Sequence, residues 1–234
     1  MSLLTACQNV ADELGLVKPS TILSNTEETA VRLLALAKRS GLAIKGYHDW
    51  TFLTIETTIA TVASTSSYAL PSDFDRFVVH TDWDRTNKWR LYGPLTPAQW
   101  QSSKSGLATS ASRRLWRLRP VTGANKFYVD PTPTAVETLA YEYISNKWAI
   151  TSGATTATLT LDADTVLFDQ ELWELDIIWR MLRVLGQPYA DEKQEAIDAL
   201  DAAVADDRGA KTLSLSHQGD IAILGANVPD QGFG

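Results

Sequence analysis

Leu3, Leu4, Cys7, Val10, Ala11 and Leu14 recur at helical spacing, and Gly15 follows as a natural stop. Pro19-Ser20 marks a turn. Ser24 with Glu27 and Asn25 with Glu28 form two overlapping capping-box patterns, which predict a second helix. That helix carries Ala30, Leu33, Leu34, Ala37 and Leu42 on its apolar side and runs to about Gly46. At Trp50 the period changes to two. Phe52, Thr54, Glu56 and Thr58 alternate with Leu53, Ile55, Thr57 and Ile59, as in a half-buried strand rich in β-branched residues.

A second strand is expected at Arg76–Thr81, entered through Tyr68–Phe74, and further strands on both sides of the polar turn in Trp83–Trp89, at Arg114–Arg119, Lys126–Val129 and Thr138–Asn146, and around Thr155–Leu161. Thr96 with Pro97 opens a short helix that ends near Gly106. After Asp169 the helical period returns. Leu172, Leu175, Ile178, Trp179, Leu182 and Leu185 form a wide stripe closed by Gly186-Gln187-Pro188. A last helix, near Ala190–Asp207, buries Ala196, Ile197, Leu200, Ala203 and Val204.

The expected fold is therefore α+β: a helical bundle from the N- and C-terminal helices with an inserted antiparallel β-rich domain and an extended C-terminal arm. Residues 1–49 and 166–211 form the bundle, 50–165 the insertion and 212–234 the arm. Apolar stripes too wide to leave in water bring the terminal helices together.

Charge adds a division that periodicity does not show. The chain of 234 residues has net charge −7, yet Asp75–Arg119 carries +6 and Asp162–Asp207 carries −10. Such a chain can bind copies of itself, basic face to acidic face, or follow a polyanion with one face. Two unrelated solvated surfaces are the simpler reading. No apolar run approaches the ~18 residues of a membrane span.

One cysteine, Cys7, and three scattered histidines, His48, His80 and His217, exclude a disulfide framework and leave no readable metal cluster. Leu4-Thr5-Ala6-Cys7 imitates a lipoprotein cleavage box but lacks the preceding basic and apolar regions, so Cys7 reads as a small buried thiol. No phosphate-binding loop, dinucleotide fingerprint, nucleophile elbow or paired-histidine motif is present. Asp162, Asp164 and Asp169 lack the glycine turn and terminal glutamate of a calcium loop and read as strand-exit and helix-capping acids. His48-Asp49 reads as a helix-to-strand corner rather than an acid–base pair. Neither an enzymatic reaction nor a cofactor is implied.

Trp83, Trp89, Trp100 and Trp116 all lie in the basic segment. They fit a β-domain core with interface anchors, or a platform for carbohydrate or single-stranded nucleic acid. The string Arg113-Arg114-Leu115-Trp116-Arg117-Leu118-Arg119 places Arg113, Leu115, Arg117 and Arg119 on one strand face and Arg114, Trp116 and Leu118 on the other. Arg113, Arg117 and Arg119 are candidates for an inter-subunit or DNA-channel basic face, since phosphate contacts carry no sequence information. A guard against edge-strand aggregation is the structural alternative.

Several strings in order resemble a known family. They are Tyr68-x-Leu70-Pro71-x-Asp73-Phe74-x-Arg76-Phe77, Trp83-Asp84-Arg85-Thr86-Asn87, Leu91-Tyr92-Gly93-Pro94-Leu95-Thr96-Pro97-x-x-Trp100, Asp130-Pro131-Thr132-Pro133 and Leu139-Ala140-Tyr141-Glu142-Tyr143-Ile144-Ser145-x-x-Trp148. Between helical ends, over most of residues 1–211, they resemble head-to-tail adaptors of tailed bacteriophages, near the tail tubular and head-completion proteins of short-tailed phages. The resemblance implies a structural virion protein, assembled in the host cytoplasm, that is not an enzyme. It implies a homo-oligomeric ring, usually twelvefold, between portal protein and tail or nozzle proteins, with genomic DNA passing through without sequence-specific contact. A tail-completion or terminator ring is equally compatible. The family's C-terminal segments often grip the portal, which makes Leu213, Leu215, Ile221, Ile223 and Leu224 candidates for a portal-binding arm. The glycine-rich end aligns with nothing in that pattern.

Overall fold

A computed structural model describes residues 2–105, 114–121 and 124–208. The fold is mixed α+β, with helices at both ends and antiparallel sheets between them. Helix α1 spans Leu3–Glu13 and α2 Glu28–Tyr47; α3, Pro97–Lys104, lies within the strand-rich middle; α4, Gln170–Leu185, and α5, Ala190–Arg208, follow it.

Helix α1 starts on Ser2, whose side chain accepts from the Thr5 amide, and stops before Gly15, where φ is +63°. Its first free amides are also satisfied from far along the chain. Leu3 donates to the Asp164 carbonyl at 2.7 Å and Leu4 to the Asp162 carbonyl at 3.0 Å. The Asp162 carboxylate accepts from Ile22 and Leu23 at 3.1 and 2.8 Å. Asp164 accepts from the Thr160 and Leu161 amides, and Asp169 caps α4. The three acids thus act as turn and cap groups that tie the N-terminus to the loop before α4.

Burial alone would raise the Asp164 pKa. The Thr160 and Leu161 amides and the Thr151 and Thr160 hydroxyls outweigh it and hold the carboxyl below its ordinary value. The stability this contributes is present above the unfolded value of ~3.9 and is lost as pH falls through the depressed folded value. Asp164→Asn is expected to flatten the acid limb of the stability–pH curve, measured by urea midpoints between about pH 2 and 5.

The start of α2 differs from the capping-box expectation. The helix begins at Glu28 with Glu27 at its N-cap position and no side-chain cap. Asn25 instead accepts from the Glu27 amide at 2.9 Å and donates to the Thr21 carbonyl at 3.2 Å, closing a turn. The helix starts too late for either box to form. Its inward face is Ala30, Leu33, Leu36, Ala37, Ser40, Gly41 and Ile44. Leu42 was expected inside but lies on the opposite side, 53% exposed. The close of α4 agrees with expectation, with Gly186 at φ +73°.

The strands are β1 Thr54–Ala60, β2 Ser67–Ala69, β3 Phe74–Phe77, β4 Trp83–Asp84, β5 Trp89–Arg90, β6 Leu115–Val121, β7 Ala124–Asp130, β8 Thr138–Ser145, β9 Ala149–Thr151, β10 Ala154–Thr156 and β11 Thr165–Val166. The alternation expected from Phe52 begins later, because Thr51–Leu53 forms a 3-10 turn. Strands β1, β8, β4 and β5 form one sheet, with β3 also on β8; β2-β7-β6 and β10-β9-β11 form two smaller ones.

The described residues bury two apolar clusters. One joins α1, α2, α4 and α5 and also takes in Ile144, Trp148, Ala149 and Leu159 from the strand-rich segment. The other holds Leu91, Trp116, Phe127, Val129 and Leu139 between the five-stranded sheet and β2-β7-β6. Tryptophan indoles pin α2 at two points: Trp50 donates to the Ile44 carbonyl at 2.8 Å and Trp173 to the Ala37 carbonyl at 3.0 Å.

Gly41 is required by a close approach. A Cβ there would meet the Trp148 ring at 2.2 Å. Because Trp148 is fully enclosed, Gly41→Ala is expected to cost about 1–3 kcal/mol by overpacking, despite alanine's better helix propensity. A urea melt against wild type checks this.

Candidate interaction surfaces

The candidate face is built by the pairing of β6 with β7. Trp116 opposes Val129, Arg117 opposes Tyr128, Leu118 opposes Phe127 and Arg119 opposes Lys126. Side chains directly opposite in an antiparallel pair lie on the same face. Trp116, Phe127 and Val129 point into the sheet core and are at most 1% exposed. Arg117, Arg119, Lys126 and Tyr128 therefore share the outer face. The Arg119 guanidinium lies 6.0 Å from the Tyr128 ring centre.

Among the described residues, no ion pair engages Arg117, Arg119 or Lys126. Asp130 shares this face, but Lys104 at 2.5 Å and Ser103 at 3.2 Å hold its carboxylate. The face is net basic, with an aromatic ring at its centre. Such a surface suits phosphates or another protein's carboxylates. Strand β6 is also an edge strand. Its first half is covered by the Tyr92–Leu95 segment, through Trp116 to the Tyr92 carbonyl at 3.0 Å and Leu95 to the Trp116 carbonyl at 3.0 Å. Further along, Pro120 lacks an N–H, which discourages strand addition there.

The structure divides the predicted site residues. Arg117 and Arg119 sit together on this face. Arg113 and the arm residues Leu213, Leu215, Ile221, Ile223 and Leu224 lie outside the described residues. Lys126 and Tyr128 were missed, although two strands separated only by Thr122-Gly123 signal a hairpin that brings them opposite the arginines. Arg114, on the inward face, serves structure. Its guanidinium grips Glu137 through Nε and Nη2 and donates to the Pro131 carbonyl at 2.7 Å, with Asp84 at 3.9 Å.

The tryptophans do not form one platform. Trp116 donates to buried Asp82 at 3.0 Å and stacks on Phe127 at 5.0 Å. A ring 1% exposed cannot stack on a ligand base or sugar, so that expectation fails for Trp116. Trp83 and Trp89 remain 36% and 44% exposed, and Trp100 has Lys104 above its ring. At the helix-to-strand corner, Asp49 pairs with Arg76 at 2.8 Å. His48 faces Asp207 at 3.7 Å, while Asp207 accepts from Thr51. The Asp207 contacts fasten the end of α5, and the Asp49–Arg76 pair ties the corner to β3.

Acid gathers on the helical side. A groove of about 530 Å³ between α1 and α4 is lined by Glu13, Asp169, Glu171 and Glu174 over Leu175 and Ile178. The outer side of α5 exposes Asp191, Glu195, Asp198 and Asp201. Among the described residues, no group of three or more histidine, cysteine or acidic side chains is arranged to hold a metal ion, and no helix is long and apolar enough to cross a membrane.

The model of the SU10 adaptor protein family matches residues 1–219. The chain belongs to that family. It is thus a structural adaptor of a bacteriophage and a component of the virion, and its family is not one of enzymes. Comparison with curated proteins returned no match. The match runs through both helical ends and the sheets of the adaptor, so the basic face and the acidic groove both lie inside it.

Proposed function

We propose that this adaptor forms a ring at the head-to-tail joint, between portal and tail, and continues the DNA channel. The carrying observation is the separation of charge within a phage adaptor: a basic sheet face at Arg117, Arg119 and Lys126, and acid on the helices. Head-to-tail contacts around a ring are heterologous, so each copy needs two different, complementary surfaces. The net charge of −7 also suits a channel wall that DNA slides past rather than binds. Residues 212–234 are assigned as the arm that grips the portal, through Leu213, Leu215, Ile221, Ile223 and Leu224.

Electron microscopy of particles from a source in which this gene is disrupted tests the reading. Filled or leaking heads beside detached tails are expected. Intact infectious particles would overturn it. Deleting 212–234 is expected to abolish portal binding while leaving the fold intact, and unchanged binding would sink the arm assignment. Tail completion is the second reading within the same family, since a terminator ring also sits at an axial joint; completed heads still bound to shortened or ragged tails would favour it.

A further inference from the structure

Helix α2 carries apolar residues on two sides. Opposite the buried face runs a stripe of Val31, Ala35, Lys38 and Leu42, at spacings of four, three and four residues. Val31 is 50% and Leu42 53% exposed, Ala35 and Arg39 are exposed, and Leu34 borders the stripe half-buried. A surface helix normally turns a charged or polar face to water. Among the described residues, Lys38 and Arg39 engage no carboxylate, whereas Arg32 is paired with Glu28 and Lys45 with Asp75. The stripe thus joins apolar Val31, Ala35 and Leu42 to the unspent positive charge of Lys38 and, beside it, Arg39.

The groove between α1 and α4 has the converse character. Leu175 and Ile178 line it beside four carboxylates. Asp169 is used as the α4 cap, and Glu174 accepts from Asn9 at 3.0 Å and from Gln170. Glu13 and Glu171 are exposed and engage no cation among the described residues. Stripe and groove share no residue, so one copy can offer its stripe while its groove receives another.

We propose that the outer face of α2 docks into the α1–α4 groove of a second copy of this chain, with Lys38 and Arg39 meeting Glu13 and Glu171 and Val31 and Leu42 covering Leu175 and Ile178. This rests on the ring reading above and names one contact between neighbouring copies, separate from any that the basic sheet face makes. The occupant is a second copy because charge, apolar content and relief are complementary within one sequence. The contact is heterologous and repeats from copy to copy.

Charge exchange on the full chain tests it. K38E/R39E makes both surfaces acidic, and E13K/E171K cancels the groove's negative charge and sets lysines opposite Lys38 and Arg39. In sedimentation velocity over a concentration series, each variant alone is expected to self-associate at least tenfold more weakly than wild type. An equimolar mixture is expected to recover assembly, because the acidic stripe of one variant then meets the groove lysines of the other, and the unaltered basic stripe meets an unaltered acidic groove. Either variant assembling as well as wild type, or a mixture no better than its components, overturns the contact. If wild type is monomeric at every concentration, the pair is read by complementation of the disrupted gene. Each variant is then expected to fail alone and both together to restore particles; full complementation by either alone overturns the contact. If residues 209–234 resist protease in monomeric wild type and lose that protection in K38E/R39E, the chain's own C-terminal segment covers α2 and the second-copy assignment falls. Oligomers indifferent to both variants overturn this contact and leave the ring reading standing, whereas intact particles without the gene product overturn the ring reading itself.

Discussion

Trp148→Ala is expected to lower stability by about 3–5 kcal/mol, the range for truncating a large enclosed aromatic. Trp148 follows β8 and enters the helical cluster, where it is 1% exposed. Its ring stacks on Phe168 at 6.1 Å and lies against Gly41 of α2. Its carbonyl accepts from Leu167 at 3.1 Å, just before α4 begins. One side chain therefore joins the long central strand to α2 and to the approach to α4, and alanine leaves a cavity that a glycine neighbour cannot fill. The indole N–H has no hydrogen-bond partner among the described residues. Trp148→Phe, which removes that N–H and keeps most of the ring, is accordingly expected to cost clearly less. Urea midpoints followed by circular dichroism check both. Equal losses in the two variants would show that ring volume is not what Trp148 supplies.

Arg114→Met should be comparably severe, at about 3–5 kcal/mol, because it strands buried carboxylates rather than merely removing an attraction. Arg114 and Glu137 are each 12% exposed at the side chain, and Asp84 is 3% exposed. The bidentate grip on Glu137 and the bond to Pro131 fasten the start of β6 to the segment leading into β8. Asp84 is less dependent on Arg114, since it accepts from the Asn87 amide at 2.9 Å and its side-chain nitrogen at 2.8 Å. The double variant R114M/E137L is expected to recover part of the loss, because it removes the stranded charge with its partner. A denaturant double-mutant cycle measures this. A double variant as unstable as the sum of the singles would show that the two side chains are not coupled.

Arg114 also marks where reading along the chain stops. Strand alternation separates Arg114 from Arg117 and Arg119, but it does not say which face is inside. That is decided by Trp116, Phe127 and Val129 meeting Leu139 of β8 and Leu91, which follows β5. The same pairing placed Lys126 and Tyr128 beside the arginines. The capping boxes before α2 failed for a related reason. Competing local hydrogen bonds of Asn25 closed a turn instead, and the helix started at Glu28. Leu42 was assigned to the core because apolar residues occur on two sides of α2, and only the packing against α1 and α4 says which side is covered.

The sequence alone determined the helices α1, α4 and α5, the switch to strands after Trp50, the capped helix at Thr96, the division of charge and the order of motifs that resembles a phage adaptor. These are local or additive properties: a 3.6-residue or 2-residue period, a cap within three residues, a sum of charges. Tertiary structure decided the register of β6 on β7, the burial of Trp116 and Trp148, the pairing of Arg114 with Glu137 and the exposure of the second apolar side of α2. Each depends on contacts between residues distant in the chain, whose free energy comes from excluding water between surfaces that exist only once the chain has folded.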